Sequence, residues 1–152
     1  VTSPVRLFTD QLIAWVQAEV DDADGWNFIR EEPRDYTAGK NCAIWWTGDE
    51  PFDNDSTTGW LGLVDVYQLR YWEPADEGSR TTEDEDAGDV LSTKLQQVRR
   101  TIALHRALPA GSLADASEMA YGGSRKLGAE DGASGVRGFS VGIRVRRPES
   151  YS

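Results

Sequence analysis

Thirteen residues, Trp60-Leu-Gly-Leu-Val-Asp-Val-Tyr-Gln-Leu-Arg-Tyr-Trp72, constrain this chain more than any other stretch. Leucyl, β-branched and aromatic side chains dominate it. Thr57-Thr58-Gly59 precedes it and Glu73-Pro74 follows, so it reads as one long strand. Successive side chains of a strand face opposite ways. Leu61, Leu63, Tyr67, Leu69 and Tyr71 then share one face with Asp65, while Trp60, Val64, Val66 and Trp72 share the other with Gln68 and Arg70. Neither face suits water, so each needs a cover. A chain of 152 residues is expected to supply one cover and to take the other from further copies or partners.

Charge and aromatic content point the same way. Six tryptophans are many for this length, and large aromatics concentrate in cores and at protein interfaces. The formal net charge of −10 argues against general nucleic-acid binding, which depends on cations neutralising phosphates. Residues 1–89 hold 6 Lys/Arg and 21 Asp/Glu, whereas residues 90–152 hold 10 and 5. An acidic and a basic half suit head-to-tail contacts between copies; the plainer reading is two solvated surfaces. Cys42 is the single cysteine, which excludes an internal disulfide and a cysteine-based metal site. No run approaches the roughly 20 apolar residues that span a bilayer, and Val1-Thr-Ser-Pro-Val-Arg6 lacks a signal-peptide layout. A protein made in the cytosol and kept there, or in a particle assembled there, is expected.

Ser3-Pro4 combines a capping serine with proline at the first helical position. Val5, Phe8, Leu12, Trp15, Val16 and Val20 continue it as an amphipathic helix. Asp21-Asp22-Ala-Asp24-Gly25 ends that helix as a solvated acidic turn, without the ligand series or closing glutamate of a calcium loop. Trp26–Glu31 reads as a short strand and Cys42–Thr47 as a second, ending in Gly48-Asp-Glu-Pro51 and antiparallel to the long strand. Gly39-Lys40 lacks the leading glycine and following hydroxyl of a phosphate loop. Residues 73–89 carry eight acids and one base, and are expected to form a mobile loop. A helix follows from about residues 86–89 to Leu108, its stripe being Leu91, Leu95, Val98, Ile102 and His105. The single histidine ends that stripe, as a packed or capping side chain does. Ala116–Lys126 reads as a weak strand with a bulge at Gly122-Gly123, and Gly138–Arg146 as a closing strand. Phe139, Val141, Ile143 and Val145 face one way on it, and Ser140, Gly142, Arg144 and Arg146 the other.

No catalytic constellation emerges: there is no Ser-His-Asp set, no phosphate loop and no metal spacing, and the carboxylates sit in polar loops where acid–base tuning is rare. No cofactor is expected. The order of elements makes a single α+β domain over 1–152, an antiparallel sheet of four to five strands with two helices on one face.

The opening helix Val5–Val20, the strand ending Trp46-Thr-Gly-Asp-Glu50, the long strand Val64–Tyr71, the second helix and the closing strand Phe139–Val145 together resemble the tail terminator proteins of long-tailed bacteriophages. The long acidic run and the high tryptophan content depart from that pattern. The resemblance implies a structural virion protein, not an enzyme. It would form a hexameric ring at the head-proximal end of the tail tube, end tube growth and offer a surface to the head's connector. Its partners would be further copies, the major tail tube protein and head-completion proteins, with DNA passing the bore unbound and no membrane involved. Contacts between copies are expected at Trp60 and Trp72, and between Arg144 or Arg146 and the acids Glu83, Asp84 and Glu85 of a neighbour. The alternatives are another neck component, such as a head–tail connector or head-closure protein, and a small α+β enzyme or ligand-binding domain with tryptophans around a pocket.

Overall fold

The computed structural model describes residues 3–52, 59–75, 82–108, 116 and 118–151, with only the backbone at residues 82–90 and 150. Helix α1, Pro4–Glu19, starts as the Ser-Pro pair predicts: Ser3 Oγ accepts from the Arg6 amide at 3.2 Å. Its Phe8, Leu12, Ile13 and Val16 are buried. Strand β1, Asn27–Ile29, runs parallel to β2, Asn41–Pro51, which pairs antiparallel with β3, Trp60–Pro74. Helix α2, Thr82–Leu104, leads to β4, Glu118–Lys126, and β5, Val136–Ser150. The sheet order is β1-β2-β3-β5-β4, so the central strand is the one the sequence singles out.

The architecture is the expected α+β one, five-stranded and mostly antiparallel, with parallel β1 as the difference. A parallel neighbour requires the chain to return to its starting end, and residues 30–40 make that return. They cross the face of the sheet opposite the helices. Tyr36 meets Trp72 edge-on at 5.3 Å between ring centroids, and Trp72 Nε1 donates to the Thr37 carbonyl at 3.0 Å. Trp72, Ala43 and Leu127 form a second small core there. The chain therefore covers part of its own second face.

The main core lies on the other face. Phe8, Leu12 and Val16 of α1 and Val98 and Ile102 of α2 pack on Cys42, Ile44, Tyr67, Leu69, Tyr71, Val141 and Ile143. Burial pushes the Cys42 thiol far up, so the only cysteine is inert. His105 stacks on Trp15 at 4.1 Å between centroids and pairs with Glu19 at 2.7 Å, joining the two helices as a packed side chain.

Three boundaries differ from expectation for local reasons. β2 continues through a bulge between Trp46 and Gly48 as far as Pro51, with Gly48 at φ 144°. The acidic run 73–89 is not one loop: Glu73 and Pro74 belong to β3, and residues 82–89 are the first turns of α2, where acids favour the positive helix end. The helix stops at Leu104 instead of Leu108 because Ala107 bridges to Glu118, and the Met119 amide donates to the Arg106 carbonyl at 2.8 Å.

Loop 127–135 is held on the second face by Asp131. It takes a bidentate pair from Arg125 and the Gly128 amide at 3.0 Å, with Arg70 at 3.5 Å. These donors, Arg125 first, lower its pKa to about 2. A depressed carboxyl stabilises the fold above its unfolded value of 3.8, and that stabilisation is lost as pH falls toward 2. Asp131→Asn is expected to cost about 2 kcal/mol at pH 7 and almost nothing at pH 2. Urea unfolding at both pH values checks this; an equal loss at both would refute the assignment.

Candidate assembly surface

β3 and β5 each run fifteen residues, and the helices cover only part of that length. The sheet residues of the main core end at Tyr67 on β3 and Val145 on β5. Beyond them residues 60–65 of β3 and 146–150 of β5 continue as a projection, which residues 49–51 of β2 join only as far as Leu63. At its root Asp65 and Arg147 are both buried. Arg147 Nε donates to Asp65 Oδ2 at 2.8 Å and Trp46 Nε1 to Oδ1 at 3.2 Å. The neighbouring carboxylate holds the Arg147 proton more firmly than usual. A polar pair thus replaces apolar packing where the strands leave the core.

On the projection Trp60 is 47% exposed and Leu61 42%, with Trp46 and Tyr151 also open. Trp60 stands where a surface role needs it. Trp72 does not: it is fully buried by the 30–40 return, and so offers nothing to a second copy. Arg144 pairs with Glu50, and the Arg146 guanidinium lies 3.9 Å from the centroid of Phe52. Both arginines expected to reach a neighbour's acids thus already have contacts inside the chain. Glu83, Asp84 and Glu85 lie in the first turn of α2, with side chains outside the described residues. Between Phe52, Val64, Ala120, Glu118, Arg144 and Arg146 the second face leaves an open depression of about 510 Å³.

The acidic and basic halves of the sequence also meet inside the molecule. β3 lies between β2 and β5, so Asp65 pairs with Arg147, Glu50 with Arg144, and Glu73 with Arg137 and Lys94. Sequence reasoning missed Trp46, Leu61, Tyr151 and the Asp65–Arg147 pair as features of this surface. Asp65 alone had a visible signal, as a carboxylate on an otherwise apolar strand face.

The tryptophans are dispersed. Trp26 and Trp72 lie in different cores, Trp15 on His105, Trp45 under Arg70 at 5.3 Å, Trp46 on Asp65 and Trp60 at the projection. Among the described residues no group of three His, Cys, Asp or Glu could hold a metal ion, and no helix is long and apolar enough to cross a membrane.

No protein-family model matches the chain, and no curated protein matches its sequence. Among solved structures, the sheath/tube terminator of an extracellular contractile injection system (PVC), in the extended state, is similar to the whole chain. The TM-score is 0.58 at 11% identity, over 100% of this chain and 58% of that one. The chain spans little more than half of that terminator's length, and what the two share is the fold.

Proposed function

We propose that the chain is a structural subunit of a phage tail or related injection machine, forming a ring that ends the growing tube. The observation that carries this reading is the fold match over the full chain to a sheath/tube terminator. Two further features support it. The projection leaves Trp60 and Leu61 exposed for neighbours, as assembled proteins do, and the second face leaves an open depression of mixed polarity beside it. Among the described residues the buried charged groups, Glu73, Lys94, Asp65 and Arg147, are engaged in pairing.

In this reading the ring has six copies, sits at the head-proximal end of a tail tube and presents its free side to the head's connector. The major tube subunit is its partner, and DNA passes the bore unbound, the net charge of −10 disfavouring capture of phosphates. Tube subunits from the same genome, polymerised with and without this protein, provide the test. Added protein is expected to shorten the tubes and to appear as an extra ring at one end in electron micrographs. Unchanged length distributions and bare ends at excess protein would reject the proposal.

A further inference from the structure

Among the described residues, six large apolar side chains are strongly exposed, and they fall in two places. Trp46 lies at the root of the projection, and Trp60, Leu61 and Tyr151 lie towards its tip, Trp60 on the face opposite Leu61. On the Leu61 face Asp49, Asp65 and Glu149 outnumber Arg147, which pairs with the last two, whereas Glu50 on the Trp60 face is paired with Arg144. Tyr121 and Leu104 lie at the seam between α2 and β4. That seam is an open depression of about 400 Å³ with Ile102, Ala103 and Met119 against Tyr121. Its rim is basic. Arg99 donates to Tyr121 Oη at 3.1 Å and Ser124 Oγ at 2.8 Å, Arg106 to Glu118 at 3.0 Å, and Arg100 is exposed beside them.

The two places cannot meet within one chain. Leu61 lies opposite Glu149 and Tyr121 opposite Ile143, six positions apart on β5. At about 3.3 Å per residue that is about 20 Å. Each surface is apolar, and their rims carry opposite charge. Surfaces that differ from one another and complement each other pair head to tail, the type of contact whose repetition closes a ring.

We propose that the projection of one copy docks in the α2–β4 seam of the next through its Leu61 face, with Leu61 and Tyr151 set against Tyr121 and Leu104, and Asp49 and Glu149 near Arg100. This rests on the ring reading above and names the contact that closes the ring.

Cys42 is the only native cysteine and is buried, so exposed cysteines can be introduced beside it. Leu61→Cys and Tyr121→Cys chains, mixed and treated with a short bismaleimide, are expected to give a heterodimer and nothing larger. The double variant is expected to give a ladder of covalent multimers, and adding Arg100→Glu to lower the yield at least about fivefold. Unchanged circular dichroism and thermal midpoints establish that the variants fold. Leu61→Cys linking to itself, which marks a two-fold contact, overturns the proposal. So does a double variant that stays monomeric at about 1 mM chain, where a contact of millimolar dissociation constant is substantially formed. The tube-length assay separates this failure from that of the terminator reading. A ladder with uncapped tubes upholds the contact and rejects the terminator, and capped tubes without a ladder do the opposite.

Discussion

Replacing Glu73 by alanine is expected to destabilise the protein by about 3–5 kcal/mol, the range for removing one partner of a buried ion pair. Glu73 closes a network at the end of β3 away from the projection. Its Oε1 accepts from Lys94 Nζ at 3.2 Å and Tyr71 Oη at 3.0 Å, and its Oε2 from Arg137 at 2.9 Å. Lys94 also donates to Tyr71 Oη at 2.9 Å and lies 4.8 Å from the centroid of that ring. Burial and the adjacent carboxylate hold the Tyr71 proton in place. Without Glu73, Lys94 and Arg137 face each other with no acid between them, and Lys94 is 6% exposed. Burial alone would raise the Glu73 pKa, but Arg137 and Lys94 outweigh it and hold the carboxyl below its usual 4.5. The stabilisation is therefore complete above pH 4.5 and is lost as pH falls through the lower folded value. A double variant, Glu73→Gln with Lys94→Met, removes both charges and is expected to recover more than about 2 kcal/mol relative to additivity. Denaturant unfolding of the four chains measures this coupling; additive losses would show that the network is not acting as a unit.

The second large effect is steric. An alanine at Gly138 would place its methyl carbon 1.9 Å from the Tyr71 carbonyl oxygen and 2.9 Å from the Trp72 Cα, both main chain. Gly138 lies opposite Trp72 in the β3–β5 ladder, and its carbonyl accepts from the Leu127 amide at 3.0 Å. Relief requires spreading the central strands, which also loosens the loop that covers Trp72. Gly138→Ala is expected to cost at least about 3 kcal/mol, or about 6–12 °C in thermal midpoint for a chain of this size. Gly142→Ala provides the comparison, since its methyl would first meet Gly122 O at 3.1 Å. That contact yields to a small shift, and the loss there is expected to stay near 1 kcal/mol. Equal midpoints for the two variants would contradict this account.

Periodicity carried most of the fold. The faces of β3, the stripes of α1 and α2 and the alternation of β5 could be read because each element buries one or two regular rows of side chains. The parallel pairing of β1 was hidden, since it depends on how residues 30–40 return and not on any pattern within β1. The same return buries Trp72, which no local signal distinguishes from Trp60 at the other end of the strand. The Glu73 network was obscured by its neighbours. Seven further acids follow Glu73 before residue 90, so one carboxylate that turns inward reads like the rest. Arg144 and Arg146 were placed on the right face of β5, but their contacts with Glu50 and Phe52 depend on β2 continuing past its bulge.

That continuation has a consequence for how the free chain avoids self-aggregation. β1 covers only Asn41–Ala43 of β2, and no described strand pairs with its outer margin from Ile44 to Pro51. A bare margin of this length invites indiscriminate fibre growth. The kink at Gly48 breaks its flatness, Asp49 and Glu50 add repulsion between like chains, and Pro51 lacks an amide hydrogen to donate. Straightening and neutralising it, with Gly48 deleted and Asp49→Val, would convert a protected strand into an amyloid-competent one.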